Sequence, residues 1–143
     1  MGQQQLLLLV LGIVIVGLAV VVGIQAFGEN QKKANSDAMT NDVIRIASDA
    51  QAWNLKPTAF GGGNGSFVGV TLEKLGYTVT SGNYNNLNGD YQFIGTPAAA
   101  SLVVQGCSAT RRNLVQATVT GTGPTQIATL VKNVTTCPWT LQS

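Results

Sequence analysis

Hydrophobic and polar positions change their spacing twice along the 143-residue chain, and each change marks a different element. Residues 6–24 are apolar or glycine without interruption, and no Lys, Arg, Asp or Glu precedes them. Such a stretch, rising ~1.5 Å per residue, predicts a helix of roughly 28 Å, close to the ~30 Å hydrocarbon thickness of a bilayer. Beyond it, Met39, Val43, Ile46, Ala50 and Trp53 recur at steps of four, three, four and three. They therefore line one stripe of a continuing helix, with Lys33, Asp37, Arg45, Ser48 and Asp49 on other faces. Residues 54–57 are expected to end it, because Pro57 excludes helical geometry from its predecessor and has no N–H for the ladder.

From Phe60 onward the pattern favours turns and strands. Strands are expected at residues 77–80, 91–94, 101–104, 114–120 and 126–134, with one helical turn at 71–76. Asn88-Gly89 and Gly121-Thr122-Gly123-Pro124 carry turn chemistry, and residues 83–90 read as a turn cluster. Alternation is clearest where Val115, Ala117 and Val119 form the face expected to be buried, against Leu114, Gln116 and Thr118. Gly61-Gly62-Gly63-Asn64-Gly65-Ser66 reads as a flexible loop and lacks the phosphate-cradling glycine patterns. The fold class that follows is α+β: a long N-terminal helix, apolar in front and amphipathic behind, packed on a small antiparallel sheet. Three regions are expected: an apolar membrane or filament-core helix at 1–28, its amphipathic continuation at 29–56, and a globular β domain at 57–143.

Composition narrows the chemistry. There is no histidine, and Cys107 and Cys137 are the only cysteines. Two thiols fall short of the four N/S ligands that zinc prefers, so no metal and no cofactor is expected. An even cysteine count in a small domain beyond an apolar segment reads as one disulfide, with two buried reduced thiols as the competing reading. A pairing would place the domain in an oxidising compartment. The apolar run could also be a secretory signal, but it is longer than a signal's apolar core and has no basic residue in front. An ordinary anchor flanked by Lys32 and Lys33 would put the domain in the cytoplasm instead.

Only 10% of residues are charged and the formal net charge is +2, so no nucleic-acid partner is expected. No nucleophile and base can be paired, and the chain is read as not an enzyme. Asp90 is the only carboxylate among residues 83–90, too few for calcium. Asn64-Gly65-Ser66 and Asn133-Val134-Thr135 match the N-glycosylation pattern. Gly12, Gly17, Gly23 and Gly28 each cost about 1 kcal/mol against alanine in a helix, and suit either close helix approach or local unwinding.

The apolar-then-amphipathic helix, the small sheet and the paired cysteines together resemble the type IV pilins and pseudopilins. The resemblance covers the whole architecture, with sequence-specific likeness confined to about the first thirty residues. It implies a leader removed by a prepilin peptidase, leaving Met1 as a methylated N-terminus. It also implies a subunit held in the inner membrane and passed by pilus assembly machinery into a helical homopolymer on the cell surface. Adhesion, motility, DNA uptake and secretion are all roles of such filaments. Gln3, Gln4, Gln5, Leu6, Leu9, Ile13, Val14, Gly17, Leu18, Val21 and Phe27 are then the expected assembly residues. Two positions depart from the family. Gln5 stands where a glutamate usually neutralises a neighbour's terminal amine, and Val22 stands near a frequent proline. Gln3 to Gln5 could solvate that amine, the amine could be deprotonated, or the subunit could assemble differently. A minor pseudopilin of a secretion system and a monomeric, membrane-tethered binding module are the alternative readings.

Overall fold

The computed structural model describes residues 2–138. A single helix, α1, spans Gly2–Leu55, and the chain divides into two compact units, Met1–Ala34 and Asn35–Ser143. The first unit is helical in all its described residues, and residues 2–31 are exposed. The predicted Met1 site lies outside the described residues.

The second unit begins with the rear of α1 and contains the core. Met39, Val43, Ile46, Ala47, Ala50 and Trp53 are buried there, so the predicted stripe is the helix's inner face. Helix α1 stops at Leu55, ahead of Pro57 as expected.

The glycine-rich segment after α1 has a more definite role than a flexible linker. A 3-10 turn at Thr58–Phe60 leads into a loop that folds back on the helix end. The backbone N–H groups of Gly63, Asn64 and Gly65 donate to the carbonyls of Trp53, Lys56 and Asn54 at 2.9, 3.0 and 2.7 Å. Carbonyls that a helix terminus leaves without intrahelical partners are thereby satisfied. A Cβ on Gly62 would lie 2.1 Å from the Lys56 oxygen, and one on Gly63 would lie 2.5 Å from the Trp53 ring. Those glycines are present because backbone must pass this close.

Six strands follow: β1 (Val79–Thr80), β2 (Asn83–Asn85), β3 (Asp90–Phe93), β4 (Leu102–Ser108), β5 (Asn113–Val119) and β6 (Ile127–Asn133). They form one antiparallel sheet in sequential order, a meander. Strand β2 corrects the expectation of a single turn cluster from 83 to 90. Polar Asn83 and Asn85 hid its strand character, whereas Tyr84 packs between Tyr77 and Tyr91 in tilted pairs with ring centroids 4.8 and 5.8 Å away. The hairpin from β1 to β2 turns on Ser81 and Gly82, both with positive φ, as a two-residue turn of this hand requires. Strand β4 runs four residues past its expected end at Val104, through Gly106. The predicted turn at 71–76 is a run of turns closed by bonds such as Leu75 N–H to the Thr71 carbonyl at 3.3 Å.

One sheet face joins α1 in the core. Leu102, Val104, Val115, Ala117 and Val119 are buried with the helix stripe, and Phe67, Val70, Leu72 and Tyr91 complete the cluster. Each large apolar side chain fully buried in this way contributes about 1.5–3 kcal/mol. The alternation expected in β5 holds at Val115, Ala117 and Val119. Leu114 is also buried, across from Cys107 on the other face. Cys107 is bonded to Cys137, with Cα atoms 5.8 Å apart, which decides between a disulfide and two thiols.

Candidate functional site

Among the described residues, most of the exposed large hydrophobic side chains lie on the apolar front of α1. Its most apolar 18-residue window has a mean hydropathy of 3.2 and no buried residue. Among the described residues this is the one helix long and apolar enough to cross a membrane. The sequence-predicted assembly residues Gln3, Gln4, Gln5, Leu6, Leu9, Ile13, Val14, Gly17, Leu18, Val21 and Phe27 are all exposed. At Gly12, Gly17, Gly23 and Gly28 a Cβ would meet nothing within 4 Å, so no contact within the chain requires glycine there. A shallow groove runs along Gln5, Leu8, Leu9, Gly12, Ile13 and Val16, open where Gly12 lacks a side chain. Grooves of this kind accept the ridge of another helix.

A second constellation, not anticipated from the sequence, lies within the Asn35–Ser143 unit. Asp42 sits on α1 one residue before the buried Val43. Its Oδ2 accepts hydrogen bonds from Tyr91 Oη at 2.7 Å, Asn88 Nδ2 at 2.8 Å and Asn86 Nδ2 at 2.9 Å. Burial pushes the Asp42 carboxyl up, but those donors and the nearby Arg45 outweigh it and hold the pKa below the ordinary value. The Tyr91 phenol is pushed well above its usual value, first by burial and then by donating to that carboxylate.

The turn from β2 to β3 is built to present these amides. Asn86 Oδ1 accepts from the backbone N–H groups of Asn88 and Gly89 at 2.8 and 3.1 Å, and Asn86 N–H donates to the Gly89 carbonyl at 3.0 Å. Asn35 Nδ2 donates to the Asn88 carbonyl at 2.9 Å, while Asn113 Nδ2 donates to Asn35 Oδ1 at 3.1 Å. Further along α1, Tyr77 donates to Asp49, and Gln51 Nε2 donates to the carbonyls of Gly121 and Gly123 at 2.7 and 3.0 Å. Three loops are thus fastened to the rear of α1 by side chains of its flanks.

This seam holds structure together. Asp42 Oδ2 is taken up by three donors of the fold itself, and Asp90 accepts from Asn85, its pKa raised by burial against that bond. Among the described residues no three His, Cys, Asp or Glu side chains gather where a metal could bind. The seam had one sequence signal: Asp42, Asp49 and Gln51 flank the apolar stripe, where a half-buried polar residue needs a partner. Compared with protein families, curated proteins and solved structures, the chain gives no match.

Proposed function

We propose that this protein is the structural subunit of a type IV pilus-like filament, stored in the inner membrane and polymerised through the front of α1 into an extracellular fibre. The observation that carries the reading is one uninterrupted helix with two different surfaces. Its rear stripe is buried in a folded, disulfide-bonded unit, while residues 6–24 are apolar and exposed.

The disulfide favours an oxidising compartment for the β domain. An apolar helix exposed on all sides suits lipid before assembly and neighbouring helices afterwards. The energy lost on leaving the bilayer is then offset by helix packing. In this reading Gln5, which lines one end of the Gly12 groove, accepts a hydrogen bond from a neighbour's terminal amine. Identical subunits, a prepilin peptidase and an assembly machine are the partners this reading requires.

The test is to shear cells of the producing organism, image the released material by electron microscopy and determine its N-terminus by mass spectrometry. Thin filaments composed of this chain, with a methylated terminus, support the proposal. Retention in the membrane fraction with an unprocessed terminus overturns it and favours the tethered binding module.

A further inference from the structure

Strand β6 is the last strand of the meander, and among the described residues it pairs only with β5, leaving its outer backbone edge open there. Leu130 and Val131, on opposite faces, are 47% and 48% exposed, and no residue from Ala128 to Asn133 is buried. Seven residues long, with Lys132 as its only charge and no proline, the strand lacks most devices that stop an edge from pairing with another chain. At its end stands Asn133-Val134-Thr135, with Asn133 and Thr135 exposed. The backbone leaves the sheet there, Val134 N–H donating to the Arg112 carbonyl at 3.0 Å, just before the chain is tied down by Cys137.

We propose that Asn133 carries an N-linked oligosaccharide that shields the open edge of β6. The three-residue signal is short, but two structural facts accompany it: the disulfide fits the extracytoplasmic side on which this modification occurs, and the acceptor sits where a bulky polar group would blunt the exposed edge. In the transfer, Asn133 Nδ2 forms a C–N bond to the anomeric carbon of a lipid-diphosphate-linked oligosaccharide. The anomeric C–O bond breaks, the lipid diphosphate leaves with the electron pair, and one amide proton passes to a base of the transferase.

The other match, Asn64-Gly65-Ser66, is a weaker acceptor in the folded chain. Asn64 lies at φ 50°, its N–H and that of Gly65 are bonded to the end of α1, and Ser66 Oγ accepts from Val68 N–H at 3.1 Å. The proposal for Asn133 is independent of whether the chain forms filaments.

The test uses protein purified from its own host, reduced and digested with trypsin. Cleavage after Lys132 releases residues 133–143, and cleavage after Arg45 and Lys74 releases residues 46–74. The expected result is a peptide 133–143 heavier than its sequence by an oligosaccharide, yielding sugar fragment ions on collision. Finding that peptide only at its unmodified mass overturns the proposal. Thr135→Ala, at an exposed position that leaves Asn133 in place, is expected to abolish the modification, and Thr135→Ser to retain it. Persistence of the added mass in Thr135→Ala would show that the attachment is not directed by this signal and would also overturn it.

Discussion

Tyr91 on β3 and Asp42 on α1 meet at 2.7 Å, a charge-assisted bond from a fully buried phenol to a carboxylate that two asparagine amides also hold. The bond joins helix to sheet at the level where the β2–β3 turn also docks. Tyr91→Phe keeps the ring and removes one donor, leaving Asp42 with its amides. A hydrogen bond to a charged group contributes about 1.5–3 kcal/mol, so a loss of about 2 kcal/mol is expected. The measurement is the urea midpoint of the full chain in detergent, and an unchanged midpoint would rule out the bond as a clasp.

The same carboxylate gives the fold an acid limit. Because the folded pKa of Asp42 is depressed, its contribution is present above the unfolded value of about 3.9 and is lost as pH falls through the folded value. Asp42→Asn should therefore be less stable than the parent at pH 7, with the gap closing below about pH 4. Asp90 has the opposite sign. Its pKa is raised, so its contribution is present at low pH and lost as pH rises through the folded value. Asp90→Asn should accordingly raise stability at neutral pH relative to acid. Denaturation midpoints between pH 2 and 8 measure both, and parallel curves for Asp42→Asn and parent would contradict the first expectation.

These polar pairs show where sequence and structure part. The stripe from Met39 to Trp53 was legible because helical spacing repeats over four turns, and Val115, Ala117 and Val119 because a half-buried strand alternates. The end of α1 was legible through Pro57, and the disulfide through an even cysteine count. Strand β2 was not legible, since Asn83-Tyr84-Asn85 owes its place to neighbours 7 residues away in sequence on either side: Tyr77 behind and Tyr91 ahead. The Asp42 seam depends on residues 44 to 49 positions apart, which no local pattern encodes. At the front of α1 the apolar run was plain, because an uninterrupted apolar stretch needs no partner in sequence to be read.

Gly106 hid the far half of β4 for a related reason. A Cβ there would lie 2.7 Å from Tyr91 Cε1 and 3.1 Å from Val43 Cγ2, at the crossing of α1 and the sheet. Gly106→Ala would gain strand propensity at an exposed site, but here it must displace a packed ring. A destabilisation of about 1–3 kcal/mol is expected, and Gly106→Val should lose more. Thermal unfolding of both variants checks the order. A stabilised Gly106→Ala would mean that Tyr91 can move aside freely.

The Cys107–Cys137 bond closes a 30-residue separation and ties the segment after β6 to β4. By the chain-entropy estimate, Cys107→Ala with Cys137→Ala should cost about 3–4 kcal/mol. Cys107 is fully buried, so its replacement adds a small packing loss. Urea titrations of the parent with and without reductant, beside the double variant, should give lowered midpoints for both unbridged forms, the double variant slightly the lower. Equal midpoints with and without the bond would remove it from the chain's stability.

Val14 and Val43 lie on the same helix, one exposed in its apolar front and the other fully buried in the core. Charge at the two positions should therefore have opposite consequences. Val14→Lys or Leu18→Lys places an ammonium where lipid or a neighbouring helix is expected, at a cost of about 2.5–3.5 kcal/mol at a bilayer centre. Neither residue belongs to the buried core cluster. Filaments should disappear from sheared cells while the urea midpoint and the disulfide stay as in the parent. Val43→Asp instead buries an unpaired carboxylate among Met39, Ile46 and the sheet residues, and should unfold the unit itself. Electron microscopy and denaturation on the same three variants separate the two roles of α1, and normal filaments from both front-half variants would refute its assignment as the polymer core.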